Sequence, residues 1–409
     1  MENTSFKVYP YRWVVLSVYM LIVAANQILW ITFAPITNDV AALLNVSDLE
    51  IGILSMCFMI VFIVFSIPAS WIIDKYGIRV GVGIGALMTG LFGLMRGLVA
   101  TDYDSILFSQ IGIAIGQPFL LNAITKVASK WFPFSERATA SGMGTLAMYV
   151  GIFVGLVLTP YLADKSGIHN TLYVYGIFSV IAALTFMVFA KESPPTAPCL
   201  PEQEERALAL DGLKNIFKTK DFNILLLIFF IGLGVFNSVT TWIENILGPR
   251  GFTSAEAGTA GGLMILAGIM GAFIMPVLSD RFKKRKPFII MAIVGATLGL
   301  AGLTFATGYW LMMFSGAVLG FFLLSSGPIG FQYGAEVTYP ISEGTSNGFL
   351  LLMGQISGIA LIFGMDIFKD AATGSMTKPL ILLLAFMVLA VILSLFLKES
   401  KMLGSDKNS

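Results

Sequence analysis

Long apolar runs, each interrupted by only a few polar residues, follow one another along this chain from residue 12 to residue 397. A helix needs about 20 residues to cross the hydrocarbon layer of a bilayer, and every run is close to that length or longer. We therefore predict an all-α membrane protein with twelve spans, numbered here in chain order: 12–37, 50–73, 80–100, 104–126, 137–163, 168–190, 222–247, 257–279, 287–307, 309–333, 344–366 and 378–397.

One long polar segment, 191–221, divides the spans into two groups of six and contains four prolines. We predict an N-terminal half over 1–190, a cytoplasmic linker over 191–221, a C-terminal half over 222–398 and a short cytoplasmic tail over 399–409. Within the linker, the sequence from Glu202 to Lys218 is typical of an amphipathic helix.

Matching residues recur in the two halves at a constant offset of 206 positions. The matches pair 74–79 with 280–285, Glu50 and Gly52 with Glu256 and Gly258, and Thr139 and Gly142 with Thr345 and Gly348. The second loop departs from the first at Lys283, which occupies the position of Gly77. Several matches in one register indicate a duplication. Two such parallel repeats are expected to form a solute site at their interface, near the middle of the membrane.

Composition supports a membrane protein and excludes other classes. Apolar residues make up 56% of the 409 residues and charged residues only 12%, whereas a soluble chain has about 25% charged residues. The net charge of +1 offers no electrostatic footprint for nucleic acid. One histidine and two cysteines provide no metal constellation. Nothing in the sequence resembles a nucleotide-hydrolysing loop or a catalytic cluster, so we expect no cofactor, no metal and no enzymatic activity.

The distribution of basic residues predicts the orientation of the spans. If both termini are cytoplasmic, only Arg96, Lys165, Arg250, Lys369 and Lys378 remain for the outer side or the membrane, and the other 20 of the 25 lysines and arginines are inside. Such an excess is the positive-inside signal. With short external loops, we expect a multi-pass protein of a prokaryotic inner membrane, embedded in lipid as a monomer.

The loop after span 2, from Asp74 to Arg79, resembles the signature loop of major facilitator transporters. The resemblance implies the major facilitator fold, with two pseudo-symmetric halves. A carboxylate at a helix end can cap the start of a helix from the opposite half. We therefore predict a latch in which Asp74 meets the start of span 11, and in which Asp280, followed by Arg281, meets the start of span 5 near Arg137. The alternative is a solvated loop that only sets the topology.

A closer resemblance covers most of the chain. The strings 129–140 and 330–348 resemble the feline leukaemia virus subgroup C receptor-related branch, whose members are associated with haem, choline and ethanolamine transport. The resemblance implies that Trp30 and Gln355 match residues that face a choline site. The chain departs from the branch at Asn237, in place of a tyrosine, and at Tyr149, in place of a glutamine.

The repeat and the chemistry of the side chains, considered without the resemblance, indicate the same positions for a solute site. At the offset of 206, Trp30 corresponds to Phe236 and Tyr149 to Gln355. Aromatic faces attract ammonium groups, although these rings could equally serve only to pack the helices. The neutral amides of Gln27 and Gln117, like that of Asn237, are expensive in lipid. They are therefore expected to face the solute path or to bond between helices.

Ionisable residues near the middle of the membrane are scarce in the sequence. Glu244 and Asp366 lie near the outer ends of spans 7 and 11, and Glu336 lies near the inner end of span 10. Arg96 lies near the outer end of span 3, where we expect its side chain to reach the membrane surface. Proton-coupled carriers need an ionisable group on the path, so this pattern favours an uncoupled facilitator.

The sequence thus predicts alternating-access transport of a small organic solute, with a choline-like amine or other organic cation as the leading hypothesis. Three alternatives stay open. The protein could be a proton-coupled carrier of small organic anions, for which a central pair of basic residues would be diagnostic. It could also be a haem-type exporter, or a membrane receptor that does not transport.

Overall fold

The computed structural model of the chain describes residues 7–99, 102–133, 136–198, 216–339, 341 and 343–400. Within these ranges every regular element is helical. The α-helices are Arg12–Ile31, Thr37–Leu44, Asp48–Tyr76, Ile78–Leu98, Tyr103–Leu121, Ile124–Trp131, Arg137–Ser166, Ile168–Phe189, Lys220–Thr241, Ile243–Leu247, Ser254–Arg281, Lys286–Phe305, Tyr309–Thr338, Glu343–Ile367 and Thr377–Leu395. In the described part of the chain, 12 helical stretches are long and apolar enough to cross a membrane, which confirms the twelve predicted spans.

The chain divides into two compact units, Met1–Glu205 and Arg206–Ser409. In the first unit, span 1 packs against span 5, span 2 against span 4, and span 3 against spans 4 and 6. In the second unit, span 7 packs against span 11, span 8 against span 10, and span 9 against spans 10 and 12. The pairs are the same after a shift of six spans, so each unit is one copy of a repeated bundle. Residues 199–215, which include most of the predicted linker helix, lie outside the described residues.

The helices of spans 2 and 8 begin in the same way. Ser47 Oγ accepts a hydrogen bond from the amide of Glu50, while the Ser47 amide donates to Glu50 Oε2 at 2.7 Å. At the offset of 206, Thr253 Oγ1 accepts from the amide of Glu256, and the Thr253 amide donates to Glu256 Oε2 at 2.9 Å. These are two capping boxes, each of which satisfies amides that the first helical turn leaves without partners. The repeated glutamates of the sequence therefore start matching helices.

Span 1 is broken near its C-terminal end. Its first helix ends at Ile31, a short 3-10 turn covers Ala34–Ile36, and a second helix runs over Thr37–Leu44. Pro35 lies in the turn and has no amide hydrogen to donate to the carbonyl of Ile31, so a continuous α-helix is interrupted there. The predicted span 1, which ends at residue 37, therefore contains the break.

Candidate functional site

Trp30 occupies the last turn of the first helix of span 1. Its side chain is only 6% exposed, and its indole Nε1 donates a hydrogen bond of 3.3 Å to the carbonyl of Ser55 in span 2. A buried indole N–H requires such an acceptor. The bond fixes the edge of the ring to span 2 and thereby restricts the directions in which the aromatic face can point.

The neighbouring amides of span 1 form a buried polar cluster. Asn26 Nδ2 donates to Thr89 Oγ1 of span 3 at 3.1 Å and to the Ile113 carbonyl of span 4 at 3.4 Å. Gln27 Nε2 donates to Asn26 Oδ1 at 3.3 Å. Gln27 and Gln117 are buried as well. Asn26 therefore bonds between helices, while Gln27 is oriented by Asn26.

Span 5 lies close against this part of span 1 because glycines face it. A Cβ atom at Gly151 would overlap the Ala24 carbonyl and lie 2.8 Å from the Cβ of Gln27. A Cβ atom at Gly155 would overlap the side chain of Ile31. Tyr149, two residues before Gly151, is half-buried. The first unit thus holds Gln27, Trp30 and Tyr149 on two tightly packed helices.

In the second unit, one predicted site residue bonds to the backbone beside another. Asn237 Nδ2 in span 7 donates a hydrogen bond of 3.3 Å to the carbonyl of Gly354, the residue before Gln355 in span 11. A Cβ atom at Gly354 would overlap the side chain of Leu233, so the two helices are in close contact at this level. Phe236 is buried beside Asn237. A common site for these residues and those of the first unit stays a prediction.

The residues of the predicted latch have partners within their own units. Lys126 Nζ lies 2.6 Å from Asp74 Oδ1, in an ion pair that the sequence analysis missed. The backbone amide of Arg79 donates to Glu192 Oε2 at 2.8 Å. Arg137 Nη2 donates to the Ser129 carbonyl at 3.0 Å. The latch across the two halves is untested by these contacts and stays a prediction.

A larger charged cluster, also missed from the sequence, surrounds Arg285 at the corresponding end of the second unit. Its guanidinium bonds to Asp280 and lies 3.0 Å from Glu336 Oε1, and the side chains of Arg285 and Glu336 are each only 7% exposed. The Arg285 amide donates to Glu399 Oε1 at 2.7 Å. Burial lowers the pKa of Arg285, but the bonds to Asp280 and Glu336 outweigh burial and raise it. Arg281 is exposed.

The sequence contains a signal for the Arg285 cluster, at an offset of 207 positions rather than 206. Lys191-Glu192-Ser193 follows span 6, and Lys398-Glu399-Ser400 follows span 12, at an offset of 207. Each glutamate accepts a hydrogen bond from the backbone amide of the matching arginine, Arg79 or Arg285. The repeat therefore extends to the residues after the last span of each half.

Arg96 does not reach the membrane surface, so the expectation from the sequence is wrong. Its side chain is fully buried. Nη1 donates to the Leu29 carbonyl and to Gln110 Oε1, both at 2.8 Å, and Nη2 donates to Thr32 Oγ1 at 3.2 Å. The guanidinium carbon also lies 5.2 Å from the centre of the Phe33 ring. The neutral groups at the break in span 1, rather than lipid headgroups, stabilise this cation.

Glu244 is buried at the C-terminal end of span 7, in the short helix Ile243–Leu247. Its Oε1 accepts a hydrogen bond of 2.7 Å from Ser254 Oγ at the start of span 8. This carboxylate therefore joins the ends of two helices. A role for it in proton coupling stays a prediction.

Comparison with known proteins gives concordant results. The model of the Major Facilitator Superfamily matches residues 15–362. The choline/ethanolamine transporter FLVCR1 of Felis catus is 30% identical over 414 residues, 95% of this chain and 73% of that protein. FLVCR2 of Homo sapiens, also a choline/ethanolamine transporter, is 27% identical over 419 residues, 97% of this chain and 79% of that protein. A crystal structure of a bacterial homologue of the human lysosomal transporter Spinster has a TM-score of 0.77 at 16% identity, covering 98% of this chain and 99% of that one. This last similarity concerns the fold.

Proposed function

The chain belongs to the Major Facilitator Superfamily of membrane transporters, and we propose that the solute it moves is a small organic cation of the choline type. The observation that supports this most is Trp30. It is an aromatic side chain buried in the membrane region, held at its indole N–H, and accompanied by neutral amides rather than by charges. The attraction between a cation and the face of such a ring is stronger in a desolvated site than in water.

The relationships of the chain agree with this choice. The similarity to the feline leukaemia virus subgroup C receptor-related branch, expected from two sequence strings, is confirmed, and the two relatives described above are both choline/ethanolamine transporters. The departures at Asn237 and Tyr149 replace side chains of that branch. Because these two side chains differ, we propose a class of solute, choline-type amines, rather than one compound.

The contacts of Arg96 favour a cationic solute over an anionic one. An organic anion needs basic groups on its path, and Arg96 is the arginine of the first unit buried within a span. Its guanidinium is already bonded to Leu29, Thr32 and Gln110. A carboxylate solute would have to displace these partners, whereas an ammonium solute would leave them in place.

For the transport cycle, we propose that the two units expose one central site alternately to the two sides of the membrane. The site would consist of the residues predicted from the sequence: Gln27, Trp30, Gln117, Tyr149, Phe236, Asn237 and Gln355. Asp74 and Asp280 would close the inner side as the latch, together with Arg79, Arg137 and Arg281. We further propose a monomer in a prokaryotic inner membrane with both termini in the cytoplasm.

Substitution of Trp30 tests the site. In detergent-purified protein, Trp30→Ala should weaken choline binding by about 0.5–2 kcal/mol, and Trp30→Phe should weaken it less, because phenylalanine keeps a weaker aromatic face. Affinity would be measured by titration of choline and of ethanolamine, and the melting temperature of each variant would be measured without solute.

Trp242 provides a matched control for this experiment. It is also fully buried, and its indole Nε1 donates to the Ile362 carbonyl at 3.0 Å, but it is outside the proposed site. Trp242→Phe should lower the melting temperature and leave choline affinity unchanged. Equal choline affinities in wild type, Trp30→Phe and Trp30→Ala would remove Trp30 from the site.

A further inference from the structure

The break in span 1 leaves helix-end carbonyl groups that need donors from other spans. The first helix ends at Ile31, and the last carbonyls of a helix have no amide partner within it. Thr32 Oγ1 donates to the Ile28 carbonyl at 2.6 Å. The Leu29 carbonyl accepts from Arg96 Nη1 at 2.8 Å and from Gln110 Nε2 at 3.3 Å. Spans 3 and 4 therefore complete the end of a helix in span 1.

Arg96 contacts this helix end at three residues, Leu29, Thr32 and Phe33. Nη1 donates to the Leu29 carbonyl, Nη2 donates to the hydroxyl of Thr32, and the guanidinium carbon lies 5.2 Å from the centre of the Phe33 ring. A cation at the carbonyl end of a helix is stabilised by the helix dipole. The planar, forked guanidinium also fixes the direction of each bond, which the flexible ammonium of lysine does not.

Trp30 lies between Leu29 and Thr32, the residues that Arg96 bonds. We propose that Arg96 is a positioning residue for the solute site: it fixes the rotation of the last helical turn of span 1 and thereby the orientation of the Trp30 ring. Its role follows from its bonds to Leu29, the residue before Trp30, and to Thr32, two residues after it, together with the bond of the indole N–H to the Ser55 carbonyl. This inference rests on the proposed function in one respect: the proposed function supplies the solute that Trp30 binds.

The orientation of Trp30 can be measured without any solute. The protein has six tryptophans, and in fluorotryptophan-labelled protein the fluorine resonance of Trp30 is the one lost in Trp30→Phe. Arg96→Lys keeps the charge and removes the fork, so the Trp30 resonance should move or broaden. Arg250→Lys is the matched control. Arg250 also binds helix-end carbonyls, those of Leu303 and Thr304 in span 9, and its replacement should leave the Trp30 resonance unchanged.

Transport kinetics give the second readout. In Arg96→Lys the KM for choline should rise roughly 2- to 30-fold, the range typical of residues that act through a neighbour, with a smaller change in the maximal rate. In a Trp30→Ala background the same substitution should add little, because the ring that Arg96 orients is absent. If Arg96 were purely structural, Arg96→Lys would lower the melting temperature, and its effect on KM would be the same with and without the Trp30 ring.

A milder variant keeps the test valid if Arg96→Lys does not fold. Gln110→Met removes one acceptor of Arg96 and one donor to the Leu29 carbonyl while retaining the guanidinium, and it should shift the Trp30 resonance by a smaller amount. A Trp30 resonance at its wild-type position in folded Arg96→Lys, or in Gln110→Met if only that variant folds, would overturn the inference. If wild type transports no choline, the proposed function fails, whereas a displaced Trp30 resonance would still support the positioning role.

Discussion

At the residue scale, Gly77 shows how backbone conformation and side-chain contact combine at one position. It connects spans 2 and 3 with φ of 88° and ψ of 176°, a region that only glycine adopts readily. A Cβ atom there would also overlap the carboxylate of Glu192, which accepts the amide hydrogen of Arg79. At the equivalent position of the second unit, Lys283 has φ of 50°, in the left-handed region that other residues enter at a moderate cost.

We predict that Gly77→Ala lowers stability more than Gly167→Ala does. Gly167 has a similar conformation, with φ of 83° and ψ of 160°, but no atom lies within 4 Å of its added Cβ. Backbone strain of about 1–3 kcal/mol applies to both. Only Gly77→Ala must also displace Glu192, which adds about 1 kcal/mol for the lost hydrogen bond. Apparent melting temperatures of the two variants in one detergent measure the difference.

Removal of Glu192 gives the control for this comparison. In a Glu192→Ala background, Gly77→Ala should reduce the melting temperature by the same amount as Gly167→Ala does in wild type, because only the strain remains. Equal losses for the two glycine variants in the wild-type background would mean that the contact with Glu192 contributes nothing.

At the scale of helices, the two units differ in the ion pairs that they form at the C-terminal ends of spans 2 and 8. Arg285 in the loop before span 9 joins Asp280 of span 8, Glu336 of span 10 and Glu399 after span 12. At the offset of 206, Glu336 is replaced by Lys130, so Arg79 has no carboxylate at that position of the first unit. In the first unit, the ion pair between Asp74 and Lys126 connects span 2 to span 4 instead.

We predict that Arg285→Met is strongly destabilising, by about 3–5 kcal/mol, because the Glu336 carboxylate would remain buried without its cationic partner. Arg79→Met is the matched control, since Arg79 is exposed at the same position of the repeat, and it should change stability by less than about 0.5 kcal/mol. Chemical unfolding in detergent would measure both. The double variant Arg285→Met/Glu336→Leu should recover much of the loss, because replacing both partners of a buried pair is often neutral. Similar losses for the two arginine variants would contradict this account.

The same elements show which parts of the structure the sequence predicts. Hydrophobic run length predicts the spans, because the bilayer sets one length for all of them. The offset of 206 predicts the paired helix starts, since Glu50 and Glu256 close their capping boxes with residues only three positions away. The contacts of Arg96 and Arg285 are different. Their partners lie on other spans, and a periodic pattern along one helix contains no information about which polar groups a neighbouring span presents.

At the scale of the whole molecule, the position of carboxylates bears on how transport is driven. Glu244 is buried at the C-terminal end of span 7 and is bonded to Ser254, and Glu336 is paired with Arg285 near the C-terminal end of span 10. Both therefore have structural partners at helix ends. Proton-coupled carriers place an ionisable group where the solute and the proton compete. The residues proposed for the solute site are aromatic groups and neutral amides.

We therefore predict that, with the membrane potential held at zero, transport in proteoliposomes follows the solute gradient alone. An inward gradient of choline should equilibrate, and an imposed pH gradient of one unit should produce no accumulation. If one proton moved with each solute, that gradient would support an about tenfold concentration ratio, which radiolabelled uptake resolves easily. Glu244→Gln and Asp366→Asn should leave equilibration intact in vesicles that contain equal amounts of folded protein. Accumulation driven by the pH gradient, abolished in either variant, would identify that carboxylate as a coupling residue and would make the protein a proton-coupled carrier, because a neutral amide cannot exchange a proton with the path.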